Sequence, residues 1–244
     1  MLKPLTRRLL ATLALISLEA ALLLGAWFCC LLVVFGFGEW WLENGTFGFD
    51  AAAFRFFDRL AAAAPGLTPI VKFFTLLGTH YVMVPVSLSL IAWLVWGRRH
   101  RWHSWRVPVV ALGAILLNML LKATYQRPRP LLPHLVPAHG LSFPSGHAMV
   151  AAAFWGLCWW LVRRSWAPGP ARTLALWGLP VLALFIGGSR VYLHVHYASD
   201  VLAGFAAGLA WLGLSLAVIG RYERRAARAL APTEPVERAT DGTD

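Results

Sequence analysis

The chain has 244 residues, 59% of them hydrophobic and 14% charged, with a net charge of +11 and a mean hydropathy of +0.62. That composition excludes an ordinary soluble domain. Charges gathered in short clusters between long apolar stretches argue against nucleic-acid binding. The length suits one sizeable domain or two small ones. Cys29, Cys30 and Cys158 lie inside apolar runs, so they read as small buried hydrophobes, not as a disulfide framework or a metal site.

The N-terminal "MLKPLTRRLLATLALISL" superficially resembles a signal peptide. Its apolar run continues through "LLLGAWFCCLLVVFGF", past the about 7–15 residues of an h-region, and no A-x-A-like site follows. It is expected to be a retained first span. A spanning helix needs about 20 mostly apolar residues. Six segments approach this: 9–36, 68–96, 107–122, 146–162, 172–188 and 200–219. The expectation is an all-α, polytopic bundle of six transmembrane helices over residues 1–231.

Between the first two spans, "FDAAAFRFFDRLAAAAPG" (49–66) puts Phe54, Phe57 and Leu60 on one helical face and Arg55, Asp58 and Arg59 on the other. It suits a helix lying in the outer interface and an ordinary ectodomain helix equally. The polar segment 232–244 lacks periodicity and reads as a disordered cytoplasmic tail. Glu19, inside the first span, is costly in lipid and stands as a functional candidate or a partner within the bundle.

Basic residues set the orientation. Lys3, Arg7, Arg8, Arg98, Arg99, Arg101, Arg106, Arg163, Arg164, Arg172, Arg221, Arg224, Arg225, Arg228 and Arg238 fall on one side, 15 of the 22 Lys and Arg. The positive-inside rule then places both termini in the cytoplasm. Trp40, Trp41, Trp102, Trp105 and Trp166 fall near the expected interfaces, where indole rings prefer to sit.

Seven basic residues run against this bias. Arg55, Arg59, Lys72 and Arg127 read as snorkelling interfacial side chains. Lys122, Arg129 and Arg190 lie at or in two outer loops that also carry Ser145, Gly146, His147, His196 and Asp200. Pro128 and Pro130 should end the third span near Gln126, so Arg129 folds back from the loop. Ser145-Gly146-His147 opens the fourth span, where free backbone N–H groups and the helix dipole favour an anion. Gly146 allows close approach to the backbone. Arg190 adds a planar fork for two oxygens. His196 and Asp200 are four apart, on one helical face; the acid can fix one ring nitrogen and leave the other as base or nucleophile. The set forms a phosphate-sized cradle and requires no metal. His80, His100, His103, His134, His139 and His194 read as incidental.

Three stretches carry a resemblance: "KATYQRPRP" (122–130) fits K-x₆-R-P, "PSGH" (144–147) stands whole, and "SRVYLHVHYASD" (189–200) fits S-R-x₅-H-x₃-D. In this order and on one membrane face they resemble the type-2 phosphatidic acid phosphatase superfamily of integral membrane lipid phosphatases. The resemblance implies His196 as the nucleophile forming a phosphohistidine, Asp200 as its orienting partner, and His147 as acid and then base. It implies phosphate-binding roles for Lys122, Arg129, Ser145, Gly146 and Arg190, with no cofactor. Vanadium-dependent haloperoxidases share the trio, but they are soluble.

The leading expectation is an inner-membrane phosphatase acting at the periplasmic face on the terminal phosphate of a lipid. Undecaprenyl pyrophosphate comes first, with phosphatidylglycerophosphate and phosphatidic acid close behind. A phosphotransferase that passes the phosphoryl group to an acceptor such as lipid A is the second reading. A non-enzymatic scaffold or transporter binding anionic headgroups is the third.

Overall fold

The computed structural model describes residues 2–96 and 104–229, with side chains over 21–96 and 104–226. Glu19, Lys3, Arg7, Arg8, residues 98–103, Arg228, Arg238 and the segment 232–244 lie outside the described side chains.

The described residues form eight helices and no strand: α1 (Leu2–Asn44), α2 (Gly48–Ala63), α3 (Leu67–Leu76), α4 (His80–Trp96), α5 (Arg106–Tyr125), α6 (Gly146–Ser165), α7 (Pro170–Tyr192) and α8 (Ala198–Ala229). Ala21–Asn44, Arg106–Tyr125, Pro170–Tyr192 and Ala198–Ala226 are each long and apolar enough to cross a membrane. The single span expected over 68–96 is a broken one. α3 and α4 meet at 49° and make a fifth crossing if taken together. The break is a tight turn in which Gly78 and Thr79 donate to Thr75 and Leu76 carbonyls.

α6 stands where the fourth span is expected. Its 20 residues reach about 30 Å, but it falls short of the apolar standard the other spans meet. The reason is its place at the centre of the bundle. Ala148, Met149, Ala151, Ala152, Ala153, Phe154 and Leu157 are all buried, and its neighbours are α5, α7 and α8. A helix enclosed by helices needs small residues for close approach more than it needs a lipid-compatible surface. The facing residues of α8 are glycines. A Cβ on Gly204 would stand 2.6 Å from the Ser145 carbonyl oxygen, and one on Gly208 would strike the Met149 carbonyl. The Ser145 N–H also donates to the Asp200 carbonyl at 2.9 Å. The first turns of α6 and α8 are thereby locked side by side.

Indole donors tie the remaining helices. Trp27 Nε1 donates to the Ala210 carbonyl at 3.0 Å, joining α1 to α8. Pro180 inside α7 has no N–H to offer the Leu176 carbonyl, and Trp159 of α6 donates to that oxygen at 3.0 Å. At the opposite end from the loops, Arg106 of α5 pairs with Glu223 of α8 at 2.5 Å.

α2 covers residues 49–63 of the amphipathic segment expected over 49–66. Phe54 is buried, while Arg55, Asp58 and Arg59 are exposed, and α2 packs against α7 and α8.

Candidate active site

α5 stops at Tyr125, and Gln126 adopts a left-handed conformation (φ 44°) before the two prolines. Lys122, in the last turn, sends its ammonium to the Leu141 and Ser142 carbonyls at 2.6 and 3.2 Å. Arg129 turns back from the loop. It donates to the Gly140, His139 and Val195 carbonyls, and its Nη1 lies 3.3 Å from His196 Nε2. Burial lowers the Arg129 pKa, and Asp200 partly offsets that.

Ser145 occupies the N-cap position of α6, yet its side chain makes no capping hydrogen bond. Its hydroxyl is buried and unpaired within the chain, as are His147 Nε2 and Arg190 Nε. Buried polar atoms without partners are few in native proteins and each calls for an account. Arg190 is held at its other end by Thr75 of α3, 2.5 Å from Nη1. Gly146 is fitted against Asn118, whose Oδ1 would lie 3.0 Å from an added Cβ; Asn118 Nδ2 in turn donates to the Pro144 carbonyl. Gly78, at the α3–α4 break, leaves room for the His147 ring, which a Cβ there would meet at 2.8 Å.

His196 sits in the short turn between α7 and α8. Its Nδ1 is 3.5 Å from Asp200 Oδ2 and 3.3 Å from Ser142 Oγ, and the Ser142 hydroxyl donates to the same Oδ2 at 2.5 Å. With the proton on Nδ1 facing Ser142 and Asp200, Nε2 carries the lone pair, which accepts from Arg129. Burial pushes the His196 pKa down to about 4 against the opposing pull of Asp200, so the ring is neutral at pH 7. Asp200 stands three residues after Tyr197 and accepts from the Tyr197 N–H at 2.9 Å. This is the returning half of a capping box.

The structure thus gathers Lys122, Arg129, Ser145, Gly146, His147, Arg190, His196 and Asp200 at one end of the bundle. His194 is elsewhere, paired with Asp58 of α2 at 2.8 Å and with the Pro133 carbonyl. His80, read as incidental, is close enough to act electrostatically on His147.

Arg127 requires a correction. Expected to snorkel, it is fully buried, with Nη1 2.8 Å from Asp200 Oδ1 and Nη2 3.1 Å from Asp50 Oδ2. A loop arginine between Gln126 and Pro128 gives no local sign of burial; the distant Asp50 that pairs with it becomes its neighbour only on folding. Ser142 and Thr75 escaped notice for a similar reason, since isolated hydroxyl residues carry no spacing signal.

Residues 103–224 match the PAP2 superfamily. The chain is 33% identical over 146 residues to phosphatidylglycerophosphatase B of Bacillus subtilis, covering 59% of this chain and 71% of that protein. It is 29% identical over 137 residues to the undecaprenyl-diphosphatase BcrC of the same organism, covering 54% and 66%. Among solved structures, the transmembrane PAP2-type phosphatidylglycerolphosphate phosphatase of Bacillus subtilis superposes with a TM-score of 0.68 at 26% identity, over 82% of this chain and 96% of that one. The helical bundle, the ordered loops and these likenesses together lead to one conclusion: the chain belongs to the PAP2 superfamily of lipid phosphatases.

Proposed function

We propose that the chain removes the terminal phosphate of a membrane lipid through a phosphohistidine, at the periplasmic face of the inner membrane. Six spans with both termini in the cytoplasm complete the reading, with α3 and α4 together as the second span and α6 as the fourth. The observation that carries the chemistry is the orientation of His196: Nδ1 faces Ser142 and Asp200, and Nε2 faces Arg129. Nε2 attacks phosphorus in line as the bond to the leaving oxygen breaks. Lys122, Arg129, Arg190 and the first turn of α6 hold the equatorial oxygens, and Ser145 Oγ donates to one of them. Phosphoryl transfer asks little more of a protein than such positioning and charge stabilisation. His147 protonates the leaving oxygen, then takes a proton from the water that attacks the phosphohistidine. Phosphate leaves and His196 is regenerated.

Undecaprenyl pyrophosphate is the first substrate to test, supported by the likeness to an undecaprenyl-diphosphatase. Phosphatidylglycerophosphate is the second reading, favoured by the 33% identity to phosphatidylglycerophosphatase B. Phosphate release from both lipids and from phosphatidic acid, with EDTA present, tests substrate and metal independence together. Activity is expected in EDTA, abolished in His196→Ala. A general acid typically contributes about 10²–10⁴-fold, and His147→Ala is expected to lose a factor in that range. Full activity in either variant would overturn the mechanism. Labelled phosphate moving to an acceptor lipid with little free phosphate would instead mark a transferase. Lipid binding without turnover by the unmutated chain would mark a scaffold.

A further inference from the structure

Arg127 belongs to none of the positions assigned above, yet no side chain in the site is more completely enclosed. Its guanidinium is stacked between the Tyr197 ring at 3.9 Å and the Trp41 ring at 4.9 Å. Nη1 reaches Asp200 Oδ1 and the Ser199 hydroxyl, both at 2.8 Å. Nη2 reaches Asp50 Oδ2. Asp50, in the first turn of α2, also accepts from the Ser199 N–H and hydroxyl at 2.8 Å each. The backbone takes part as well, for the Arg127 carbonyl accepts from the Ser142 N–H at 2.7 Å. Arg127 therefore grips both groups that stand behind His196 Nδ1: Asp200 by its side chain and Ser142 by its main chain.

Stability alone is a poor reason for this arrangement. Replacing a buried ion pair by apolar residues is often neutral or stabilising. What the chain of charges does accomplish is geometric. Asp200 has two oxygens; Ser142, the Tyr197 N–H and His196 address Oδ2, and Arg127 fixes Oδ1. A carboxylate held at both ends cannot rotate away from the imidazole. Two carboxylates against one guanidinium also leave a net negative charge behind His196, which favours the positive charge that develops on the ring as Nε2 bonds to phosphorus.

Resting on the phosphohistidine reading, we propose that Arg127 and Asp50 are positioning residues for catalysis: the buried chain Asp50–Arg127–Asp200 orients His196, and makes the seating of α2 a condition for a competent nucleophile. α2 is then part of the catalytic apparatus through Asp50, even though it contributes no group to the phosphate cradle.

The test is a double-mutant cycle on the full chain in detergent, with kcat, KM and thermal midpoint measured on the best lipid of the panel. By analogy with the partners of metal-bound histidines, an orienting group commands about 10- to 100-fold in activity. Arg127→Met is expected to lower kcat within that range with KM changed less than about twofold. Arg127→Lys, which keeps the charge but loses the fork, should recover part of the loss. In an Asp200→Asn background Arg127→Met should cost almost nothing further, because the group it acts through is already disabled. Should Arg127→Met not yield folded protein, Asp50→Asn, nearly isosteric, enters the same cycle with a smaller expected loss. Additive effects of Arg127 or Asp50 with Asp200, or a loss in KM alone, would overturn the proposal while leaving the phosphohistidine reading intact. Activity surviving His196→Ala would remove that reading, and this proposal with it.

Discussion

The nucleophile proposed at His196 must be neutral at working pH and must present one defined lone pair. Burial meets the first requirement for His196, pushing its pKa down to about 4. Hydrogen bonding at Nδ1 meets the second. The stability consequence has a definite sign. Between about pH 6.5, the ordinary histidine value, and pH 4 the unfolded chain binds a proton that the folded chain does not. Stability therefore falls as pH drops through that window and is fully present above it. Histidine NMR on detergent-solubilised protein should show the His196 ring titrating near 4. A midpoint above 6 would contradict the buried, neutral assignment. The thermal midpoint should drop on acidification from 6.5 to 4, and drop less in His196→Ala.

At the scale of elements, the site is set by how closely α6 and α8 approach. Gly204 and Gly208 face backbone atoms of α6, not flexible side-chain ends, so an added side chain forces the helices apart. Overpacking of this kind costs about 1–3 kcal/mol. Gly208→Val is expected to lower the thermal midpoint and reduce activity, by moving Ser145 relative to Asp200. Gly36→Ala, on α1 with open space around it, should change neither; equal effects at both positions would refute the packing argument. The α6–α7 seam offers a second check. Trp159→Phe removes the donor that serves the Leu176 carbonyl beside Pro180, at about 1 kcal/mol. Pro180→Ala restores the missing N–H and should lessen that loss. An undiminished loss in the double variant would show that the indole acts by packing alone.

At the scale of the whole molecule, the charge bias and the clustering of the loops make a joint statement about topology. In a chain freed of Cys29, Cys30 and Cys158, Pro137→Cys in the loop before α6 should react with an impermeant maleimide added outside intact cells. Ala167→Cys in the α6–α7 turn should react only after permeabilisation. Labelling of both from one side would break the proposed six-span layout. Much of this scale was readable in advance. Apolar runs of the required length marked the places of α1, α5, α7 and α8, because lipid imposes composition on any helix it surrounds. The same reasoning treated 68–96 as one rod, since hydropathy summed over a span does not register a bend such as the 49° break between α3 and α4.

The sequence by itself determined the all-helical membrane fold and singled out the eight residues that the structure gathers at one end of the bundle. Both are written in local terms: hydropathy over a span, prolines that stop a helix, and fixed spacings such as the four residues from His196 to Asp200. Only the tertiary structure decided what holds those residues in place. Ser142 is 58 residues from Asp200 along the chain, Asp50 is 77 from Arg127, and Thr75 is 115 from Arg190. Spacing at such separations carries no signal. A buried charge must find its partner wherever packing brings one, and that choice is made by the assembled bundle.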